Sequence, residues 1–179
     1  MTLLIIATAL GCGLVGGVFF AFSTFIMKAL ARLPAPQGIV AMQSINIVVI
    51  NPLFMGALFG TAILCIALFI TSGGPIAPYA RWSVFAYLIG TIGVTMFRNV
   101  PLNNRLALLD PQAESSATIW QDYLHRWTRW NHIRTAAALL ACVELMSAKL
   151  DCIGHSDMAP SVRSKNSGIA QTTRSPRSH

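Results

Sequence analysis

The feature that most constrains this fold is the uncharged stretch at the start of the chain. From Leu3 to Met27 about 25 consecutive residues carry no charge, and a helix needs only about 20 to cross a bilayer. Charged residues make up 11% of the chain and hydrophobic residues 54%, whereas soluble domains carry roughly 25% charged residues. The sequence therefore predicts an integral, multi-pass protein of the cell membrane.

Three further apolar stretches follow the first. They run from about Ser44 to Ile70, from Tyr79 to Phe97 and from about Trp127 to Ser147, and the last is made more polar by Glu144 and Lys149. Each is long enough to cross a bilayer as a helix. We therefore predict an all-α fold, a four-helix transmembrane bundle with a partly helical interfacial loop between helices 3 and 4.

Composition divides the chain into two parts. We expect residues 1–150 to form the four-span domain. From about Asp151 onward Ser, Arg, Pro, Asn and Thr dominate and large apolar residues are almost missing, so we expect residues 151–179 to be a disordered, basic, Ser-rich tail.

The net charge of +7 follows from the membrane setting. In a soluble protein it would suggest a nucleic-acid partner, but here the basic residues flank apolar stretches. Anionic lipid headgroups and the excess of Lys and Arg in cytoplasmic loops explain that placement. We expect the lipid bilayer as partner and no nucleic acid, with the polar stretch from Phe97 to Thr135 facing the cytoplasm.

The sequence offers no recognised cofactor or metal motif. The four cysteines are scattered and form no CxxC pair or His/Cys cluster, so neither a metal site nor a disulfide framework is expected. No phosphate-binding glycine loop, dinucleotide fingerprint or Ser-His-Asp set can be assembled. We therefore predict no cofactor and no metal.

The polar stretch between the third and fourth spans holds the side chains capable of chemistry. On a helix with 3.6 residues per turn, Trp127, Asn131 and Arg134 share one face. Amides and guanidinium groups near lipid are costly unless they are paired. We therefore expect one pocket at the interfacial end of the bundle, whose candidate residues are Asn46, Asn51, Arg98, Asn103, Trp127, Asn131 and Arg134.

Two of these assignments leave an alternative open. Asn46 and Asn51 could form hydrogen bonds between helices instead of lining a polar pocket. The asparagines around Pro101 could equally form a turn, since Asn hydrogen-bonds its own backbone and tolerates left-handed conformations.

Several motifs carry a resemblance to a known family, and they extend over about residues 10 to 145. The chain resembles the anthrone-oxygenase-like family of small integral membrane proteins, many of which have no known function. The resembling stretches are Phe19–Ser23, Ala41–Asn46, Asn51–Phe54, Asn99–Asn103 and Trp127–Thr135.

The resemblance implies a chemistry. Members from fungal polyketide pathways oxidise anthrones to anthraquinones with molecular oxygen and without an obvious cofactor. By that resemblance, Trp127 would stack on the substrate ring, while Asn131 and Arg134 would donate hydrogen bonds to the enolate oxygen. His132 is the only histidine in the motif and the candidate base, although it points away from that helix face.

Two functions therefore remain open. The first is a cofactor-independent monooxygenase, an oxidoreductase acting on flat, apolar phenolic or quinone-like substrates. The second is a non-catalytic membrane protein that binds or moves a small apolar aromatic ligand.

Overall fold

The computed structural model describes residues 1–157, with Pro75 and residues 151–157 described only in their backbone, and within this range it contains helices and no strand. The all-α prediction is confirmed. The last helix continues past Asp151, where the tail is predicted to begin, and the rest of that tail lies outside the described residues. The helices are α1 (Thr2–Ala31), α2 (Ala35–Val48), α3 (Pro52–Thr71), α4 (Ala77–Ala107) and α5 (Ser116–Asp157).

Three of these helices, α1, α3 and α4, are long and apolar enough to cross a membrane. They indicate a membrane protein and correspond to the first three predicted spans, but the second predicted span, from about Ser44 to Ile70, is not one helix. It is interrupted after Val48, because Asn51 caps a new helix that begins at Pro52. Helix α5 does not meet the same criterion in the part of the chain that the structure describes. Its apolar half lies between Arg134 and Lys149 and contains Glu144, so charged groups interrupt it.

The second half of α5 packs closely against α1 and α4, because small residues line these contacts. A Cβ atom added to Gly16 would lie 2.9 Å from Cδ2 of Leu139, and one added to Gly90 would meet the Cβ of Ala137. Within a bilayer, helices associate through such close backbone approach, since lipid provides no hydrophobic drive between them.

The buried apolar residues form two clusters along the bundle. The small-residue cluster contains Ile5, Ala9, Cys12, Val15, Phe19, Leu58, Ala62, Cys65, Leu68, Ala80, Val84, Tyr87, Ala138, Ala141 and Leu145. The aromatic cluster contains Met27, Leu30, Ile39, Met42, Leu106, Trp120, Tyr123, Leu124 and Trp127.

Helix α4 extends further than its predicted span, which ended at Phe97. It includes π-helical segments at Ala86–Gly93 and Thr95–Asn99 and then continues as α-helix from Val100 to Ala107. Pro101 has no backbone N–H to donate, and its ring crowds the preceding turn, which the wider π-helical turn accommodates. The alternative of a turn around Pro101 is therefore wrong.

The connection from α4 to α5 is short. Asp110 organises it, because its carboxylate accepts a hydrogen bond from the backbone N–H of Gln112 at 2.9 Å and its carbonyl accepts one from Ser116 Oγ. Helix α5 begins at Ser116, so most of the segment between the third span and Trp127 is helical.

Candidate functional site

A cavity lies between the second half of α1, the end of α2, the start of α3, the end of α4 and one face of α5. Its volume is about 750 Å³, within the range of about 300–1,000 Å³ usual for small-molecule sites. Its wall is mainly aliphatic and aromatic. The polar side chains that line it are Gln43, Asn46, Thr95, Asn103, Asn104 and Arg134.

Arg134 is the charged group of this cavity. Only 6% of the residue is exposed, and its guanidinium lies between two aromatic rings, with Cζ 4.0 Å from the ring centroid of Phe19 and 4.9 Å from that of Trp127. Nη1 lies 3.4 Å from the Thr95 hydroxyl. No carboxylate forms an ion pair with Arg134 among the described residues, so the guanidinium can serve an anionic ligand.

Asn131 lies behind Arg134 and holds it in place. Its Oδ1 accepts a hydrogen bond from Arg134 Nε at 2.7 Å. Its Nδ2 donates to the carbonyl oxygen of Phe19 and to Ser23 Oγ, both at 2.7 Å. These bonds occupy the amide, and Asn131 is fully buried and does not line the cavity. Its side chain is therefore not placed to bind a ligand, and it orients the guanidinium of Arg134.

Asn103 is fixed by two donors from α5. Its Oδ1 accepts from Tyr123 Oη at 2.9 Å and from Trp127 Nε1 at 2.8 Å. Burial raises the pKa of Tyr123, so its phenol stays protonated and able to donate. With the carbonyl side of the amide occupied, the Nδ2 hydrogens of Asn103 are left for the cavity that this residue lines.

Asn46 supplies a further donor to the cavity wall. Its Nδ2 is buried and has no hydrogen-bond partner among the described residues. A buried donor without a partner costs free energy, which a ligand oxygen would recover.

Besides Asn131, which lies behind Arg134 instead of facing a ligand, three other predicted site residues do not line the cavity. Asn51 caps the start of α3, where its Oδ1 accepts from Phe54 N at 3.0 Å and its Nδ2 donates to the carbonyl of Val48. Arg98 is exposed and its Cζ lies 4.7 Å from the ring centroid of Trp130. His132 is exposed and lies on the opposite side of α5, beside a different groove.

The structure thus gathers Asn46, Asn103, Trp127 and Arg134 around the cavity, and it also adds residues that sequence reasoning missed. Phe19 and Phe22 come from the first span, whose resembling motif gave no hint of orientation. The ring of Phe22 lies 5.5 Å from that of Trp127, centroid to centroid. A π-helical segment that begins at Phe22 helps to set which side chains of α1 face the cavity.

The donors of this cavity suit oxygen atoms of a ligand. They are one guanidinium and at least two amide N–H₂ groups, set in an apolar wall. Within the described residues no group of three His, Cys, Asp or Glu side chains could hold a metal ion. The site can hold a flat apolar molecule and stabilise a negative charge on one of its oxygens.

A family model described as anthrone oxygenase matches residues 47–143. The chain belongs to the anthrone oxygenase family. This match confirms the resemblance read from the motifs and includes Asn103, Trp127 and Arg134. Comparison with curated proteins gave no match. Comparison with solved structures gave none either.

Proposed function

We propose that this member of the anthrone oxygenase family is a cofactor-independent oxygenase that converts an anthrone, or a similar flat phenolic compound, to the corresponding quinone. The reaction consumes one dioxygen. One oxygen atom enters the product as the new carbonyl and the other leaves as water, which also carries the two hydrogens lost from the ring methylene.

The observation that carries this proposal is the buried guanidinium of Arg134 in an apolar cavity. It has no carboxylate partner among the described residues, and an anionic oxygen of the substrate would provide one. Because the cavity wall has a low dielectric constant, such a contact favours the enolate over the neutral ketone far more than it would in water. The rings of Phe19 and Trp127 lie against the guanidinium, so a flat substrate would make its apolar contacts with the surrounding wall, which includes Phe22 and Phe54.

The chemistry then proceeds in three steps. The ring methylene loses a proton and its electron pair is delocalised onto the carbonyl oxygen, next to Arg134. The resulting enolate carbon forms a bond with dioxygen, and a proton converts the adduct to a hydroperoxide. Cleavage of the O–O bond, with loss of the remaining hydrogen on that carbon, releases water and leaves the second carbonyl.

The first proton must leave the cavity through water. Among the described residues that line it, none is Asp, Glu, His or Lys, so no ordinary general base stands beside the substrate. Stabilisation of the enolate by Arg134 makes the ring methylene more acidic instead, and water at the open side of the cavity accepts the proton. His132, on the other side of α5, has no part in this step.

The same lack of a base favours the second candidate, a membrane protein that binds or moves the same class of ligand without converting it. Binding would use the same donors and rings. The two candidates differ in whether Arg134 affects turnover beyond its effect on affinity.

The deciding experiment measures oxygen uptake by the purified protein with an anthrone such as emodin anthrone, after subtraction of spontaneous autoxidation. We expect Arg134→Met to lower kcat by about 100-fold, the loss typical for removal of an oxyanion donor. Arg98→Met is the matched control, since Arg98 is exposed and does not line the cavity; it should retain wild-type uptake. Uptake by the wild-type protein no faster than autoxidation, together with saturable anthrone binding, would favour the second candidate.

We also propose that α5 provides a fourth span, from about Trp127 to Ser147, so that the protein crosses the cell membrane four times. The exposed side chains along this half of α5 are mainly apolar, as lipid contact requires: Leu139, Leu140, Val143, Met146 and Leu150. Lys149 Nζ donates to Thr2 Oγ1 at 3.2 Å, which brings this end of α5 next to the start of α1.

Cysteine labelling tests the number and orientation of the spans in a variant that lacks the native cysteines. With four spans and the α4–α5 connection in the cytoplasm, an impermeant reagent in intact cells should label Gly73→Cys and Leu150→Cys but not Ala113→Cys. If Leu150→Cys behaves like Ala113→Cys, α5 does not cross. If Ala113→Cys alone is labelled, the orientation is inverted.

A further inference from the structure

A second groove, which shares no lining residue with the cavity, lies on the opposite face of α5. It has a volume of about 530 Å³ and is formed by the end of α1 and the first half of α5. Four of its side chains are basic: Lys28, His125, Arg129 and His132. We call this concavity the basic groove.

No acidic side chain lines the basic groove among the described residues. The ion pair found in this part of the chain joins Arg126 to Asp122 at 3.2 Å, and neither of these residues belongs to the groove. Arg129 lies over the ring of Trp130, with Cζ 5.9 Å from the centroid. Within the part of the chain that the structure describes, no carboxylate forms an ion pair with Lys28 or Arg129, and both side chains are exposed.

The groove lies at the end of α1, at the depth in a bilayer where lipid headgroups are found. Helix α1 has 30 residues, which makes it roughly 45 Å long, against about 30 Å for the hydrocarbon core. Lys28 lies within the last turn of this helix, where a lysine reaches the headgroup region with its ammonium. Trp130, an aromatic residue suited to the same depth, lies beside Arg129.

The floor of the groove combines two kinds of surface. Met27, Ala31 and Leu124 provide apolar contact, and polar groups come from Ser23, Gln121 and Thr128. A phospholipid headgroup presents the complementary features, a phosphate anion with hydrogen-bond acceptors joined to an apolar glycerol–acyl junction. A free phosphate would not use the apolar part of the floor.

We propose that the basic groove binds the headgroup of an anionic phospholipid, with Lys28 and Arg129 on the phosphate and the apolar floor against the acyl junction. Charge-assisted hydrogen bonds from ammonium and guanidinium groups to phosphate are among the stronger contacts available at a protein surface. The site is independent of the oxygenase proposal, because the groove and the cavity use different residues.

Native mass spectrometry of the detergent-purified full chain tests this, with phosphatidylglycerol as the anionic probe and phosphatidylcholine of the same acyl chains as the neutral one. We expect tighter binding of phosphatidylglycerol to the wild-type protein. The double variant Lys28→Gln/Arg129→Gln should weaken that binding roughly 30-fold, equal to about 2 kcal/mol, and should leave phosphatidylcholine binding unchanged.

The matched control is Arg105→Gln/Arg126→Gln, which removes the same charge from exposed residues outside the groove. It should change phosphatidylglycerol affinity by less than about two-fold if the groove, rather than net charge, is responsible. An equal loss in the control, equal affinity of the wild-type protein for both lipids, or displacement of phosphatidylglycerol by millimolar inorganic phosphate would overturn the proposal. All residues replaced are exposed, and each variant's melting temperature checks that it is folded.

Discussion

The two apolar clusters differ in how closely the helices approach one another, and α5 contributes to both. In its first half α5 presents Trp120, Tyr123 and Trp127 to the aromatic cluster, and in its second half it presents Ala138 and Ala141 to the small-residue cluster. Large rigid rings keep helix axes apart, whereas alanine and glycine let backbones approach closely. The cavity lies where the two clusters meet, since Met42 and Trp127 of the aromatic cluster and Phe19 and Leu58 of the small-residue cluster line it.

Polar side chains follow the same division. Near the aromatic cluster, hydrogen bonds fix two side chains that line the cavity. Asn103 accepts one from Tyr123, and Arg134 donates one to Asn131. At the other end, the buried polar groups mostly satisfy helix carbonyls: Thr8 donates to Leu4 O and Tyr87 to Leu58 O. One end of the bundle is therefore built for stability and the other for positioning donors.

The largest effect should follow from removing the amide that positions Arg134. Asn131→Ala removes the acceptor of Arg134 Nε and the donor to the Phe19 carbonyl and Ser23 Oγ, and the last two keep another partner each. We expect kcat for oxygen uptake to fall by about 100-fold, because a small displacement of the guanidinium removes it from the developing oxyanion. Steady-state kinetics with an anthrone measures this.

Asn99→Ala is the control for Asn131→Ala. Asn99 is also a fully buried asparagine, and its Nδ2 donates to the carbonyl of Trp127 at 3.2 Å, but it does not contact Arg134 through any hydrogen bond described. Its loss should lower the melting temperature and leave kcat within a few-fold of wild type. A similar fall in kcat in both variants would mean that any buried amide at this end matters, and the positioning role would be lost.

A smaller effect should follow from breaking the close packing of α1 against α5 beside the small-residue cluster. Gly16→Leu forces a side chain against Leu139 and Ala138, whereas a Cβ at the adjacent Gly17 meets nothing within 4 Å. Overpacking typically costs about 1–3 kcal/mol, so Gly16→Leu should lower the free energy of unfolding by that amount. Gly17→Leu should change it little. Unfolding in mixed micelles measures both, and equal losses would contradict the assignment of this helix contact.

The helical fold could be predicted from sequence because hydropathy and span length are local properties. Long apolar runs identified α1, α3 and α4. The extent of α4 could not be predicted, since a π-helical turn before Pro101 depends on packing and not on composition. Helical periodicity did place Trp127, Asn131 and Arg134 on one buried face and His132 on the exposed one.

The arrangement of the site was less accessible to sequence reasoning. Which of several amides faces a cavity depends on contacts between distant segments, and Asn51 illustrates this because its side chain caps its own helix. Phe19 and Phe22 are indistinguishable by composition from lipid-facing phenylalanines such as Phe25. Arg98 follows the third predicted span and Arg134 lies near the start of the fourth, and the tertiary structure shows that the first is exposed and the second buried.

The smallest changes in stability should come from replacing one buried tyrosine of each cluster, Tyr123 and Tyr87. Tyr123→Phe removes the bond to Asn103 Oδ1, which keeps its bond from Trp127, and Tyr87→Phe removes the bond to the Leu58 carbonyl. Each variant should lose only about 1 kcal/mol of stability, the usual net worth of one hydrogen bond. Their effects on the substrate should differ, because the Asn103 side chain can donate to a ligand in the cavity, whereas Leu58, which also lines the cavity, offers it only an apolar side chain. We expect a rise of a few-fold in KM for Tyr123→Phe alone, measured by oxygen uptake; an equal rise for Tyr87→Phe would show that the two ends are not functionally separate.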